Sequence, residues 1–548
     1  MAGPLDQGGV EIRPHLPGVM LARIRCAVAP HALALLPLVF LLVVLVAPAV
    51  RLVAQGWEGV PGGQGVWSAV WAPWQDPYLR WRMAWSFLQA GATCVASLLL
   101  GLPVAWVLAR FDFAGRTLIL RGLMLPFVVP TLVAAMGVLA LMGPHGLLVQ
   151  WGGPDLQGTP WLLLYGNLFF NLCVLVRAAT DALGQVSAAR VAAARTLGAT
   201  PWRAFWRVEW PAIAPWLMSA LCLVFLYCFS GFGLALVLGG QEYATAEVEI
   251  YTLVAHELQL AQAGVLALWM LVLTALVALA YAAIEQRLAT PVRADRVARR
   301  SPQGAAQWAA VLGSVAILAL FCAAPLMAIA WRAMFSGAGA WHVLLQEDTL
   351  HALWNTARFS ALALMVATAL GLAHALAARR SLLLRTLVFL PFVVSPVMVA
   401  FGLLLLYPAW TGSFWLLVAA YTLLAYPFVA KSLASSLDSM PVSYQAAARS
   451  LGATPWRAFW RVTLPLMAPA LRRGMAFAAA TAVGEFAVTL FLSRPEWATL
   501  TTLIYEHLGR PGAANMDAAL VLACVLMALA LAAFVLIEWS APEEHSHA

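Results

Sequence analysis

Ala-Ala-Ala-Arg-Thr-Leu-Gly-Ala-Thr-Pro-Trp-Arg-Ala-Phe-Trp-Arg-Val, residues 192–208, returns 254 residues later as Ala-Ala-Ala-Arg-Ser-Leu-Gly-Ala-Thr-Pro-Trp-Arg-Ala-Phe-Trp-Arg-Val, residues 446–462. Extended to Leu217 and Leu471, the two 26-residue stretches agree at 20 positions, the mark of an internal duplication. The repeated unit is basic and aromatic inside a chain that is otherwise apolar. Of 548 residues, 63% are hydrophobic and 10% charged, and the mean hydropathy is +0.85. A soluble domain carries roughly 25% charged residues, so this chain reads as an integral membrane protein.

Twelve apolar runs follow from the pattern, at 31–50, 84–109, 118–142, 161–182, 212–238, 263–284, 305–330, 356–378, 382–406, 415–435, 474–492 and 518–537. A helix needs roughly 20 residues to cross a hydrocarbon core of ~30 Å. The runs are continuously apolar and lack a period of two, which implies helices and not a barrel. Residues 31–50 follow Arg13, Arg23 and Arg25 as a signal peptide would, but they exceed an h-region of about 7 to 15 residues and read as a retained first span.

The arginine-rich segment 287–307 divides the chain into 1–286 and 308–548, each with six expected spans and one copy of the repeat, 187–217 or 441–471. An even number of spans between the copies puts both on one side of the membrane, as parallel repeats require. Leu100-Gly101-Leu102-Pro103-Val104-Ala105 echoes Leu370-Gly371-Leu372-Ala373-His374-Ala375 in the same sense. Arg110, Arg116, Arg293, Arg296, Arg299, Arg300, Arg379 and Arg380 join the repeats on that side, which the positive-inside rule makes cytoplasmic, with both termini. Glu58, Asp76, Asp155, Glu242, Glu247, Glu347 and Asp348 fall in the opposite loops, and Arg80 and Arg82 are exceptions there.

The net charge of +8 does not point to nucleic acid, because the basic residues lie in short loops beside spans. Seven scattered cysteines form no disulfide or metal pattern. The one lysine, Lys431, follows alanine, so no Gly-Lys-Ser/Thr phosphate loop exists and this chain is not an ATPase. Lys431 and its counterpart Arg177 read as anchors at the inner ends of spans, and His374 as a packed or hydrogen-bonded residue. No catalytic constellation, metal cluster or cofactor motif stands out; the acidic and histidine-containing tail, Glu543 to His547, reads as disordered.

Within each repeat, Gly198 or Gly452 can take the left-handed conformation that ends one helix and turns the chain. Thr200 or Thr454 then caps the next helix, with Pro201 or Pro455 at its first position. Arg203 and Arg207, like Arg457 and Arg461, share a face, beside Phe205 and Trp206 or Phe459 and Trp460. Pro211 and Pro465 mark the return into the membrane. An amphipathic helix lying in the headgroups would use similar residues, but a lipid surface does not require two near-identical copies. Two sockets on a protein partner do.

The run from Ala447 to Pro455, with Phe459, Val462 and Leu464-Pro465, resembles the cytoplasmic coupling motif of bacterial ABC importer permeases of the binding-protein-dependent type. The resemblance implies the type I importer permease fold, an all-α bundle in the inner membrane. It implies two copies of a cytoplasmic ATPase subunit, each docked on one coupling helix, and a periplasmic substrate-binding protein on the other face. Gly198, Arg203, Phe205, Trp206, Gly452, Arg457, Phe459 and Trp460 are then the coupling residues. The motif usually opens with glutamate, whereas Ala192 and Ala446 stand here.

The fusion of two halves is shared by few subfamilies, and among them the chain resembles thiamine permeases. The carrying segments are residues 71–79, Phe169-Phe170-Asn171-Leu172, Arg207-Val208-Glu209-Trp210-Pro211 and Leu238-Gly239-Gly240. Ferric iron permeases share the fused plan and remain the alternative substrate class. A twelve-span carrier driven by an ion gradient would have similar symmetry, but it has no need of the doubled cytoplasmic element. Glu485, in the eleventh run, has Gly231 as its counterpart at the 254-residue offset, and Phe232 has Phe486. A carboxylate there is expected to face the bundle interior, where it either hydrogen-bonds a neighbouring helix or lines a translocation path narrowed by the two phenylalanines.

Overall fold

The computed structural model describes residues 33–58, 66–288, 298–379 and 381–539. Arg13, Arg23, Arg25, Arg293, Arg296, Arg380 and the tail from Glu543 to His547 lie outside the described residues. In the N-terminal half the helices that matter are α1 (Leu33–Gly56), α2 (Pro77–Arg110), α3 (Thr131–Met142), α4 (Pro160–Leu183), α5 (Pro201–Phe229), α6 (Gly233–Leu238), α7 (Ala246–Ala255) and α8 (Leu260–Ile284). The C-terminal half repeats them as α9 (Ala305–Phe335), α10 (Glu347–Ala378), α11 (Pro396–Leu406), α12 (Phe414–Ser439), α13 (Leu464–Val483), α14 (Ala487–Leu492), α15 (Leu500–Gly509) and α16 (Ala513–Ile537).

All twelve apolar runs are helical over most of their length, and among the described residues ten helices are long and apolar enough to cross a membrane, or up to 11 with one bent pair. The run at 474–492 falls short because α13 carries Arg472 and Arg473 and stops at Val483.

Four of the runs are broken where the sequence suggested continuous spans. The third breaks at Val129-Pro130 before α3, and the ninth bends by 93° between Leu384–Val393 and Pro396–Leu406. Proline lacks the N–H that a continuing helix needs, and it drives the preceding residue into extended backbone. The fifth and eleventh break at Ser230-Gly231-Phe232 and at Gly484-Glu485-Phe486. Each half is therefore interrupted at equivalent places.

The halves exchange their first helices. A Cβ added to Gly402 of α11 would stand 2.8 Å from the carbonyl oxygen of Pro48 in α1, and one added to Gly137 of α3 would stand 2.8 Å from that of Pro325 in α9. Glycine is needed at both crossings because the backbones meet there. Both proline-bearing helices have a π-helical turn just before the contact, Leu42–Val46 and Ala319–Ala323. The second of these brings the Sγ of Cys322 within 3.1 Å of the Sγ of Cys173 in α4, a thiol pair that sequence spacing does not show.

Overpacking a core costs about 1–3 kcal/mol, so Gly402→Val should lower the thermal midpoint of the detergent-solubilised chain by several degrees. Gly91→Ala, where an added Cβ meets nothing within 4 Å, should leave it unchanged. Equal midpoints for the two variants would contradict the exchanged packing.

Candidate functional site

Each repeat folds into two helices around a glycine bend. In the first, Ala188–Thr196 ends at Gly198 with φ +84°, and in the second, Val442–Ser450 ends at Gly452 with φ +81°. The Thr200 hydroxyl accepts the Arg203 N–H at 3.3 Å, and the Thr454 hydroxyl accepts the Arg457 N–H at the same distance. Pro201 and Pro455 occupy first positions. Both copies then widen into one π-helical turn, Phe205–Glu209 and Phe459–Thr463.

Pro211 and Pro465, which mark the return into the membrane, do not end a helix at that wide turn. The helix instead runs on from Pro201 to Phe229, because the extra residue per turn accommodates a ring that would clash with the carbonyl four residues earlier.

The repeats present matched apolar surfaces. Leu197 and Leu451 are each 88% exposed, and Trp202 and Trp456 are 69% and 68% exposed. Trp206 lies 5.5 Å from Trp202 and Trp460 lies 5.4 Å from Trp456, between ring centroids. Arg203, Arg207, Arg457 and Arg461 are exposed around them, while Phe205 and Phe459 are half-buried and Ala204 and Ala458 are buried. Exposed aromatic surface ringed by arginine is typical of protein interfaces.

Behind this surface the two copies are anchored differently. In the first, Glu209 forms a buried ion pair with Arg110 at the end of α2, 2.9 Å apart. In the second, Thr463 takes the place of Glu209 and receives a hydrogen bond from Gln445 at 3.1 Å. The far end of α2 carries Arg82, and a separation of 28 helical residues puts it roughly 42 Å away. Arg82 is buried, donates to the carbonyls of Gln241 and Glu242 at 2.6 and 2.9 Å, and pairs with Glu249 at 3.4 Å. Its place opposite the other arginines follows from these partners. It lines a cavity of 390 Å³ with Tyr78, Trp81, Gln241, Glu242 and Tyr243.

Between the two ends, the breaks converge. Phe232 and Phe486 are brought together with ring centroids 6.0 Å apart and planes 25° from parallel. Tyr251 of α7 lies 5.6 Å from Phe232, and Tyr505 of α15 lies 5.3 Å from Phe486. The Glu485 carboxylate is buried and accepts the Val488 N–H at 3.0 Å, capping α14. α7 and α15 are held in matching fashion: the Ala246 N–H donates to Ser86 and the Leu500 N–H to Thr356, both at 2.9 Å.

Glu247 is a correction. Read as a loop acid, it is instead fully buried in the first turn of α7, where it accepts the Ser395 hydroxyl at 2.7 Å. Tyr251 and Tyr505 were missed as well. The signals were present in two further echoes, Leu125-Pro126-Phe127-Val128-Val129 with Leu390-Pro391-Phe392-Val393-Val394, and Glu242-Tyr243-Ala244-Thr245 with Glu496-Trp497-Ala498-Thr499. His374 is hydrogen-bonded as expected, to the Leu384 carbonyl at 2.7 Å and to Tyr426. Arg177 pairs with Asp181 at 3.0 Å, and the Lys431 ammonium lies 4.9 Å from the Phe389 ring centroid.

The chain matches the family described as binding-protein-dependent transport system inner membrane component twice, over residues 97–290 and 365–543. The thiamine transport system permease protein ThiP of Escherichia coli (strain K12) is 27% identical over 530 residues, 92% of this chain and 96% of that protein. The protein of the same name from Brucella abortus (strain 2308) is 30% identical over 498 residues, 85% of this chain and 88% of its own length. The sulfate transport system permease protein CysT of Escherichia coli (strain K12) is 29% identical over 206 residues, 37% of this chain and 72% of its own length. Members of the family are multi-pass membrane components that work with an ATPase and a substrate-binding protein. Two matches in series, each holding one glycine-bent repeat, make this chain a member of the binding-protein-dependent transport system inner membrane component family.

Proposed function

We propose that this chain is the transmembrane permease subunit of a bacterial thiamine importer, fusing two permease units, 1–286 and 308–548, through the linker 287–307. The observation that carries the substrate is similarity along almost the whole length to proteins named as thiamine permeases. The repeat-bearing end and both termini are cytoplasmic on this reading, and a periplasmic binding protein delivers thiamine to the opposite end. Two copies of the ATPase dock on Gly198, Arg203, Phe205 and Trp206 and on Gly452, Arg457, Phe459 and Trp460. The near-equal exposure of the two surfaces supports one ATPase subunit on each. Phe232 and Phe486 narrow the path where the breaks meet, and Glu485 lines it.

Uptake of labelled thiamine and of ferric iron, compared in cells with and without this chain, tests the reading. Thiamine uptake that depends on the chain, and that survives in vesicles supplied with ATP after ion gradients are collapsed, is the expected result. Uptake of iron alone would overturn the substrate, and uptake lost with the gradients would overturn the ATP-driven mechanism.

A further inference from the structure

We infer that Glu247 and Glu485 together form a cation site at the aromatic junction between the halves, one carboxylate from each half, that holds the positively charged ring of a flat organic cation in transit. The inference rests on the thiamine reading for the identity of that cation. It begins from a mismatch between the repeats. At the 254-residue offset, Glu485 corresponds to Gly231 and Glu247 to Thr501. The Thr501 hydroxyl donates to the Glu485 carbonyl at 2.8 Å, so these two positions adjoin. By the symmetry of the repeats Glu247, on α7, stands at the N-terminal half's counterpart of that contact, while Glu485 lies in the break before α14.

Both carboxylates are removed from water, with Glu247 at 0% and Glu485 at 8% exposure. Among the described residues neither forms an ion pair. One Glu247 oxygen accepts from Ser395, at the cap of α11, and the other has no hydrogen-bond partner. Glu249, two residues along the same helix, is by contrast neutralised by Arg82 and accepts the Tyr78 hydroxyl at 2.9 Å. Glu485 is held by the backbone N–H of Val488, whereas the unpartnered Glu247 oxygen is costly to bury without a counter-ion. An arriving cation removes that cost.

The surrounding rings define the kind of cation. Glu247 and Tyr251 are four residues apart on α7 and share a face, and Tyr251 leads to Phe232, Phe486 and Tyr505 through ring contacts. Aromatic faces attract a delocalised organic cation. The halves supply one carboxylate and two rings each, which suits a single flat guest between them.

The test uses the full complex of permease, ATPase and binding protein. Glu247→Gln and Glu485→Gln are each expected to lower the initial rate of thiamine uptake about tenfold, the loss of one desolvated charge contact, and together to lower it further. Glu247→Asp and Glu485→Asp should retain more uptake than the glutamine variants, which a role in packing alone does not predict. Thiamine should also protect Glu247 and Glu485 of the unmodified complex from a hydrophobic carbodiimide, read by mass spectrometry. Wild-type uptake by glutamine variants that copurify with the ATPase overturns the site. If those variants fail to accumulate, protection decides: carbodiimide labelling unaffected by thiamine overturns it, and protection supports it. An unmodified complex that carries iron and not thiamine removes the substrate reading and the site with it, and this shows before any variant is made.

Discussion

Gly198→Val or Gly452→Val is expected to reduce ATP-driven uptake to background while the chain still inserts in the membrane. At φ of +84° and +81° a β-branched residue costs about 1–3 kcal/mol in backbone strain. The local way to relieve it is to extend the helix ending at Thr196 or Ser450 and swing Trp202 or Trp456 off its present line. An added Cβ meets no neighbour within 4 Å at either glycine, so the effect is conformational and not a clash. A graded series follows: asparagine, which tolerates the left-handed region, retains most uptake, alanine less and valine none. Copurification with the ATPase should fall in the same order. Because two docking surfaces act in one cycle on our proposal, either single substitution suffices. Full uptake by both valine variants would show that the bends do not set the docking geometry.

Phe205→Asp and Phe459→Asp probe the same element differently. Both rings are half-buried against their own repeat, and a carboxylate there is drawn toward water. The docking surface should be lost with the bend intact.

Those bends were legible because the repeat is polar enough to stand out from its surroundings, and because glycine, threonine and proline at fixed spacing have one local solution. Leu125 to Val129 and Leu390 to Val394 are just as repetitive, yet five apolar residues inside a 63% hydrophobic chain carry little contrast. Their separation of 265 residues also differs from the 254 of the main repeat, so a single offset passes over them. The breaks at Ser230 to Phe232 and Gly484 to Phe486 were hidden for a related reason: averaged hydropathy counts phenylalanine and glycine as continuing span. Helical propensity alone could not have shown the exchange of α1 and α9 between halves, since lipid-facing and protein-facing apolar residues look alike when the solvent is itself apolar. Only Gly137 and Gly402 hinted at it, and a glycine declares a close crossing only once its neighbour is known.

Glu247 failed in a more instructive way. An acidic residue between two spans is read as loop by default, and Glu242, which does sit in a turn, reinforces that reading. The fold instead carries the chain back inward as α7, anchored by Ser86, so that a residue five positions later is wholly buried. Sequence position relative to spans is a poor guide to depth wherever a connecting segment re-enters the bundle.

Glu209 gives the sharpest asymmetry between the repeats and the second large expected effect. It is the one acidic residue within the repeated stretch of either copy, and its pair with Arg110 is nearly as dry as the core, with side chains 8% and 10% exposed. Glu209→Gln leaves the arginine buried and uncompensated, a change of about 3–5 kcal/mol, and should lower the thermal midpoint of the purified chain more than any other single change in the repeat. Thr463→Ala at the equivalent position removes one neutral hydrogen bond from Gln445, about 1 kcal/mol, and should shift it little. Replacing both partners, Arg110→Met with Glu209→Leu, should recover most of the loss, because an apolar pair of similar bulk needs no desolvation. Uptake is expected to follow a different order. If the ion pair only stabilises, the double variant regains uptake with its stability. If α2 carries the ATPase stroke from the first repeat toward the junction near Ser86, the apolar pair restores the midpoint and leaves uptake low, since it supplies cohesion without the directional hold of a charged contact. Glu209→Gln and Thr463→Ala variants of equal stability would show that the repeats are anchored alike and remove the basis for this asymmetry.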